Sequence, residues 1–60
     1  VQFSYLIVCN DEVNVKEMLL LLENFPDFYC LGTITDKENA VNAVLEYRPH
    51  IVFLDISPKA

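Results

Sequence analysis

The run Ile51-Val52-Phe53-Leu54-Asp55 is apolar until it closes on a carboxylate, with Pro49 before it and Pro58 after it. No polar residue alternates along Ile51–Leu54, so the pattern is that of a strand covered on both faces. Such a strand belongs inside a parallel sheet with helices above and below. Asp55 then falls at the strand's carboxyl end, where open α/β sheets carry their ligands. The rest of the chain reads as bringing a second acidic group to the same edge.

Phe3–Cys9 (FSYLIVC) is rich in aromatic and β-branched residues and stops at Asn10-Asp11-Glu12, which predicts a first strand. The period then changes. Val15, Met18, Leu19 and Leu22 recur at helical spacing, predicting a helix over Val13–Phe25 with Asn14 and Glu17 as its capping box and Pro26-Asp27 as its stop. Phe28–Ile34 (FYCLGTI) predicts a second strand around the only glycine, Gly32. A second helix follows, with Ala40, Val41, Val44 and Leu45 as its apolar stripe. Thr35 with Glu38 forms a possible capping box there, and Asp36 is a competing cap. The order is β-α-β-α-β in one α/β domain, with short connections that suit parallel neighbours. Right-handed crossovers and a sheet order of 2-1-3 place the two helices on opposite faces. An order of 1-2-3 leaves one face bare, and the apolar third strand argues against it.

Leu20 and Leu21 widen the apolar arc of the first helix beyond what one sheet face covers. The simpler reading is a helix packed between the sheet and a further helix; the alternative is a docking surface for a partner protein. The composition points the same way. Of 60 residues, 53% are apolar, yet a chain of this length hides only ~60% of its unfolded surface. The expectation is therefore the amino-terminal portion of a larger globular unit, spanning residues 1–60. With the third strand left as an unprotected edge, the isolated chain is expected to self-associate.

A net charge of −5, with only Lys16, Lys37, Arg48 and Lys59 basic and all four scattered, excludes direct nucleic-acid contact by this segment. No apolar run approaches the ~18 residues needed to cross a bilayer, and no signal peptide is visible. Cys9 and Cys30 lie in apolar runs without CxxC spacing, as reduced core thiols of a cytoplasmic protein do, and a disulfide between them is disfavoured. A single glycine forms no GxGxxG or Walker loop, so a flavodoxin-like ligand-binding domain ranks last among the readings. His50 precedes the third strand, at the pole opposite Asp55, and reads as a solvent-exposed loop residue. Ser57, Cys9 and Cys30 have no histidine nearby in sequence to activate them.

In the 2-1-3 arrangement the ends of strands one and three lie about 4.8 Å apart, so Asp11 and Asp55 converge. Two carboxylates at one edge repel each other unless a cation lies between them. Mg²⁺ suits such oxygen ligands, because it takes one or two protein carboxylates and keeps several waters. Each residue also has a plainer reading, Asn10-Asp11-Glu12 as a helix cap and Asp55 as a turn residue. Their joint placement at the switch point is what favours chemistry.

These residues resemble a known family. LIVCNDE, a leucine-rich helix, FYCLGTITDKENAVNAV and RPHIVFLDIS together resemble the first half of a response-regulator receiver domain, closest in flavour to receivers that precede LytTR-type DNA-binding domains. The resemblance implies a flavodoxin-like fold in a two-component phosphorelay switch, not an enzyme in its own right. It implies that Asp55 accepts a phosphoryl group from a histidine kinase or phosphotransfer protein. It further implies that Asp11, Asp55 and the backbone carbonyl of Ser57 hold Mg²⁺, with Asn10 acting through a water. Two positions depart from the pattern. Asn10 stands where receivers carry a first acid, which lowers the expected metal affinity. The usual Met-Pro after the acceptor loop is replaced by Ile56-Ser57-Pro58. The family's switch Thr or Ser, Lys and aromatic fall beyond residue 60. The alternative is a degenerate, receiver-like interaction module that is not phosphorylated.

Overall fold

A computed structural model describes residues 2–55. The elements run β1 (Phe3–Cys9), α1 (Glu12–Leu22), β2 (Phe28–Ile34), α2 (Lys37–Tyr47) and β3 (Ile51–Asp55). All strands pair in parallel, in the order β2-β1-β3, as the crossover argument expects.

The sheet is built on β1. Every residue from Tyr5 to Cys9 is at most 4% exposed. Tyr5, Ile7 and Cys9 face α1, where Val15, Met18, Leu19 and Leu22 cover them beside Phe28, Ile51 and Phe53. Alternation turns Val8 to the other face, against Ala40 and Val44 of α2. Burying Leu6, Ile7 and Val8 contributes roughly 1.5–3 kcal/mol each. Burial pushes the Tyr5 phenol above its usual range, and the neighbouring Cys30 thiol adds to the shift.

The strand covered on both faces is thus β1, not β3. β3 has a neighbour on one side alone, and α2 packs over β1 and β2. Val52 and Leu54 are left exposed, Leu54 at 68%. The apolar run at Ile51–Leu54 records residue type, and position in the sheet decides burial. In α2 the buried residues are Ala40 and Ala43, while Val41 and Leu45 of the expected stripe are exposed. Small side chains let the helix approach the sheet, and the larger ones flank the contact. Leu20 and Leu21 are exposed at 64% and 62%, as the wide arc of α1 foretold.

The helix ends correct the expected caps. α1 begins one residue before the expected start, and Asp11 caps it rather than Asn14. It ends at Leu22, where the Asn24 and Phe25 amides bond to the carbonyls of Leu21 and Leu22 in tighter turns. Phe25 leaves the helix and its ring meets that of Phe28, centroids 6.1 Å apart. At α2 Asp36 prevails over the Thr35 box. Its Oδ1 accepts from the Asn39 backbone amide and its Oδ2 from the Asn39 side chain, both at 2.8 Å. Arg48 closes α2 in the left-handed region, φ 48°, with its amide donating to the Val44 carbonyl, and Pro49 prevents the helix from continuing.

β1 and β2 change register between Tyr5 and Leu6, where Cys30 and Gly32 are the partners and Leu31 is bulged. Cys30 is exposed rather than in the core, Cys9 is buried, and both thiols are free. His50 is exposed but held. Its Nδ1 accepts from the Ser4 amide at 2.9 Å and its own amide donates to the Ser4 carbonyl at 3.1 Å. His50 is thus the solvent-exposed residue that the sequence suggests, and it also clasps the starts of β1 and β3.

Two outcomes follow from this packing. Arg48→Gly is expected to raise stability in urea denaturation. Relief of the left-handed penalty, about 1–2 kcal/mol, outweighs glycine's extra unfolded entropy, roughly 0.4–1 kcal/mol. The 60-residue chain is expected to self-associate in light scattering through the bare β3 edge, and Leu54→Lys to shift it toward monomer. A wild-type chain that stays a cooperatively folding monomer at high concentration contradicts this second outcome.

Candidate functional site

Parallel pairing aligns Cys9 with Asp55, so β1 and β3 finish level with each other. The β1–α1 connection is two residues long, and Asp11 therefore lies at the same sheet edge as Asp55. The two acids singled out from the sequence are brought to one end of one strand pair.

They play different structural parts. Asp11 is the N-cap of α1, in extended conformation. Its Oδ1 accepts from the Val13 amide at 2.9 Å and from the Asn14 amide at 3.4 Å. Its carbonyl accepts from the Val15 amide at 3.0 Å and from the Cys9 thiol at 3.4 Å. The plainer capping reading of Asp11 is thus correct, and it coexists with the placement at the edge. Asp55 is exposed, and its Oδ2 accepts from the Asn14 side-chain amide at 3.4 Å. A cavity of about 390 Å³ lies elsewhere, between α2 and β3, whereas Asp55 lines one of about 310 Å³ with Asn14, Glu17, Met18 and Leu21.

Asn10 is half-buried where β1 ends, beside Asp11. Ser57 lies outside the described residues. Among the described residues no group of three or more His, Cys, Asp and Glu side chains gathers closely enough to cage a metal ion. The donors at this edge are carboxylate oxygens, the ligand type that Mg²⁺ takes together with waters. A carboxylate offers about four lone-pair sites, so the cap bonds to Asp11 Oδ1 do not exhaust it.

Sequence reasoning missed the role of Asn14. Read as a cap, it is instead the residue of the first turn of α1 whose backbone amide meets Asp11 and whose side chain meets Asp55; its spacing from Asp11 signals the first contact, and nothing in the sequence signals the second. His50 stands at the amino end of β3, away from this edge, as expected. No helix among the described residues is long and apolar enough to cross a membrane.

Compared with protein-family models, curated proteins and solved structures, the chain matches none of them.

The double duty of Asp11 is open to separation. Asp11→Ala is expected to lower stability by about 1 kcal/mol, since it strips the cap. Asp11→Asn keeps an accepting oxygen, so thermal denaturation should show a loss of only a few tenths of a kcal/mol while the charge at the edge is gone.

Proposed function

We propose that this chain is the amino-terminal part of a flavodoxin-like receiver domain, with Asp55 as the phospho-acceptor. The observation that carries the reading is the β2-β1-β3 parallel order, which sets Asp55 and Asp11 at the carboxyl ends of adjacent strands where the winding reverses. A carboxylate exposed at such an edge is sterically accessible, and it can attack an anionic donor once a cation neutralises the charge between them.

In the proposed reaction an oxygen of Asp55 attacks the phosphorus of a phosphohistidine. The phosphorus–nitrogen bond breaks, the imidazole nitrogen keeps the electron pair and takes up a proton, and an aspartyl phosphate remains. Asp11 and Asp55, with Asn10 through a water and the Ser57 carbonyl, would hold Mg²⁺, which supplies charge neutralisation for the incoming phosphoryl group. Asp11 contributes negative charge and fixes the start of α1 beside the acceptor. The partner is then a histidine kinase or phosphotransfer protein of the cytoplasm, and the chain acts as a switch element rather than an enzyme.

A second reading is favoured by Asn10, an amide in place of an acid, together with the commitment of Asp11 Oδ1 to helix capping. In that reading the fold serves as a receiver-like interaction module without phosphorylation.

Intact-mass spectrometry of the full-length protein after incubation with acetyl phosphate separates the two. Labelling is expected with Mg²⁺ and not without it, and Asp55→Asn should abolish it because an amide is a poor nucleophile. Asn10→Asp should tighten Mg²⁺ binding and Asp11→Asn should weaken it. No mass increase under either condition moves the assignment to the interaction module, and labelling that survives Asp55→Asn assigns a different acceptor.

A further inference from the structure

We infer that Asn14 is a positioning residue, which orients the Asp55 carboxylate by bonding one oxygen and leaving the other to react. The inference rests on the proposed reading of Asp55 as acceptor and adds a residue that neither the resemblance nor the acidic pattern supplies.

Asn14 touches both carboxylates at once. Its backbone amide donates to Asp11 Oδ1 and its side-chain amide to Asp55 Oδ2, each at 3.4 Å. The two bonds differ in what they do. The first belongs to the cap and locks Asn14 into the opening turn of α1, where it is half-buried. The second crosses from that anchored turn to a side chain that is exposed at the end of an edge strand. An exposed aspartate in that place has several staggered rotamers open to it. A donor fixed on a helix selects among them, because the amide reaches Oδ2 in only some.

The chemistry favours an amide in this place. A carboxylate at position 14 adds repulsion to two acids, and an ammonium competes with any cation for the same oxygens. A neutral donor orients Asp55 without doing either. At 3.4 Å the contact is longer than the usual ~2.7–3.2 Å of an N–H···O bond, so it biases the rotamer of Asp55 without clamping it. Orientation matters here because attack on phosphorus requires one lone pair in line with the breaking bond. A misplacement of about 1 Å lowers such a rate by up to ~10²-fold. Asn14 also lines the cavity of about 310 Å³ that contains Asp55, so its donor and the acceptor share one recess.

The test uses the full-length protein with acetyl phosphate and Mg²⁺, reading labelling by intact mass over time and donor concentration. Asn14→Ala is expected to lower the saturated labelling rate about tenfold, a barrier change of about 1.4 kcal/mol, with the half-saturating donor concentration shifted less than twofold. Asn14→Gln keeps the donor and should return the rate to within about threefold of wild type. A urea-unfolding cycle of Asn14→Ala, Asp55→Ala and the double variant should be non-additive by at least threefold in the unfolding constant. A labelled wild type with an unchanged Asn14→Ala rate overturns this inference alone. So does an additive cycle, a loss that Gln does not restore, or a loss seen in the half-saturating concentration instead of the saturated rate. A wild type that takes no label fails the acceptor reading first, and the positioning role falls with it.

Discussion

The enclosure of β1 is the contact on which the remaining structure depends. One strand with a neighbour on either side and a helix over either face supplies almost all the fully buried apolar surface, from Tyr5 to Cys9. Two helices cannot both cover it from opposite sides unless the chain crosses first one way and then the other. The reversal of winding that places Asp11 and Asp55 together is thus a by-product of covering one hydrophobic strand twice. Placement of the acids is tied to formation of the core, since setting β2 and β3 on either side of β1 makes neighbours of the strands that bring Asp11 and Asp55 to this edge.

Much of this is legible in the chain. The three strands are bounded by residues that favour turns, and their predicted limits coincide with those observed. The order followed from handedness and the need to cover two faces. What sequence pattern misjudged was local competition. Asn14 and Thr35 each have a glutamate three residues on, but Asp11 and Asp36 sit where their carboxylates reach the first free amides of the helices, and a charged acceptor close at hand prevails. Burial along β3 and α2 was misjudged for another reason. Val41, Leu45, Val52 and Leu54 are as apolar as the residues of β1, and only tertiary position separates them. Cys30 was misplaced likewise, on the outer strand beside a bulge.

For the candidate site, residue type and spacing sufficed to place Asp11 and Asp55 at one sheet edge, because Asp55 closes β3, Asp11 comes two residues after β1, and the two parallel strands end together. They did not reveal the link between them. Asn14 reaches Asp55 across 41 positions of sequence, and no periodicity encodes that approach. It arises because the two-residue β1–α1 connection starts α1 at the edge where β3 ends.

The clasp between Ser4 and His50 has a bearing on that geometry from the far end of the sheet. Side chains along a strand alternate, so the face on which a residue emerges depends on counting in steps of two from wherever pairing begins. Ser4 and His50 hold the first step, and the pairing of Tyr5 with Ile51 follows from it. Ile51 and Phe53 then lie among the residues under α1, and Asp55 shares their parity, which is why Asn14 can meet it. Slippage by a single residue would send Asp55 to the opposite side and set an apolar side chain before Asn14. An imidazole at one pole of the molecule thereby keeps the phase of the carboxylate at the other.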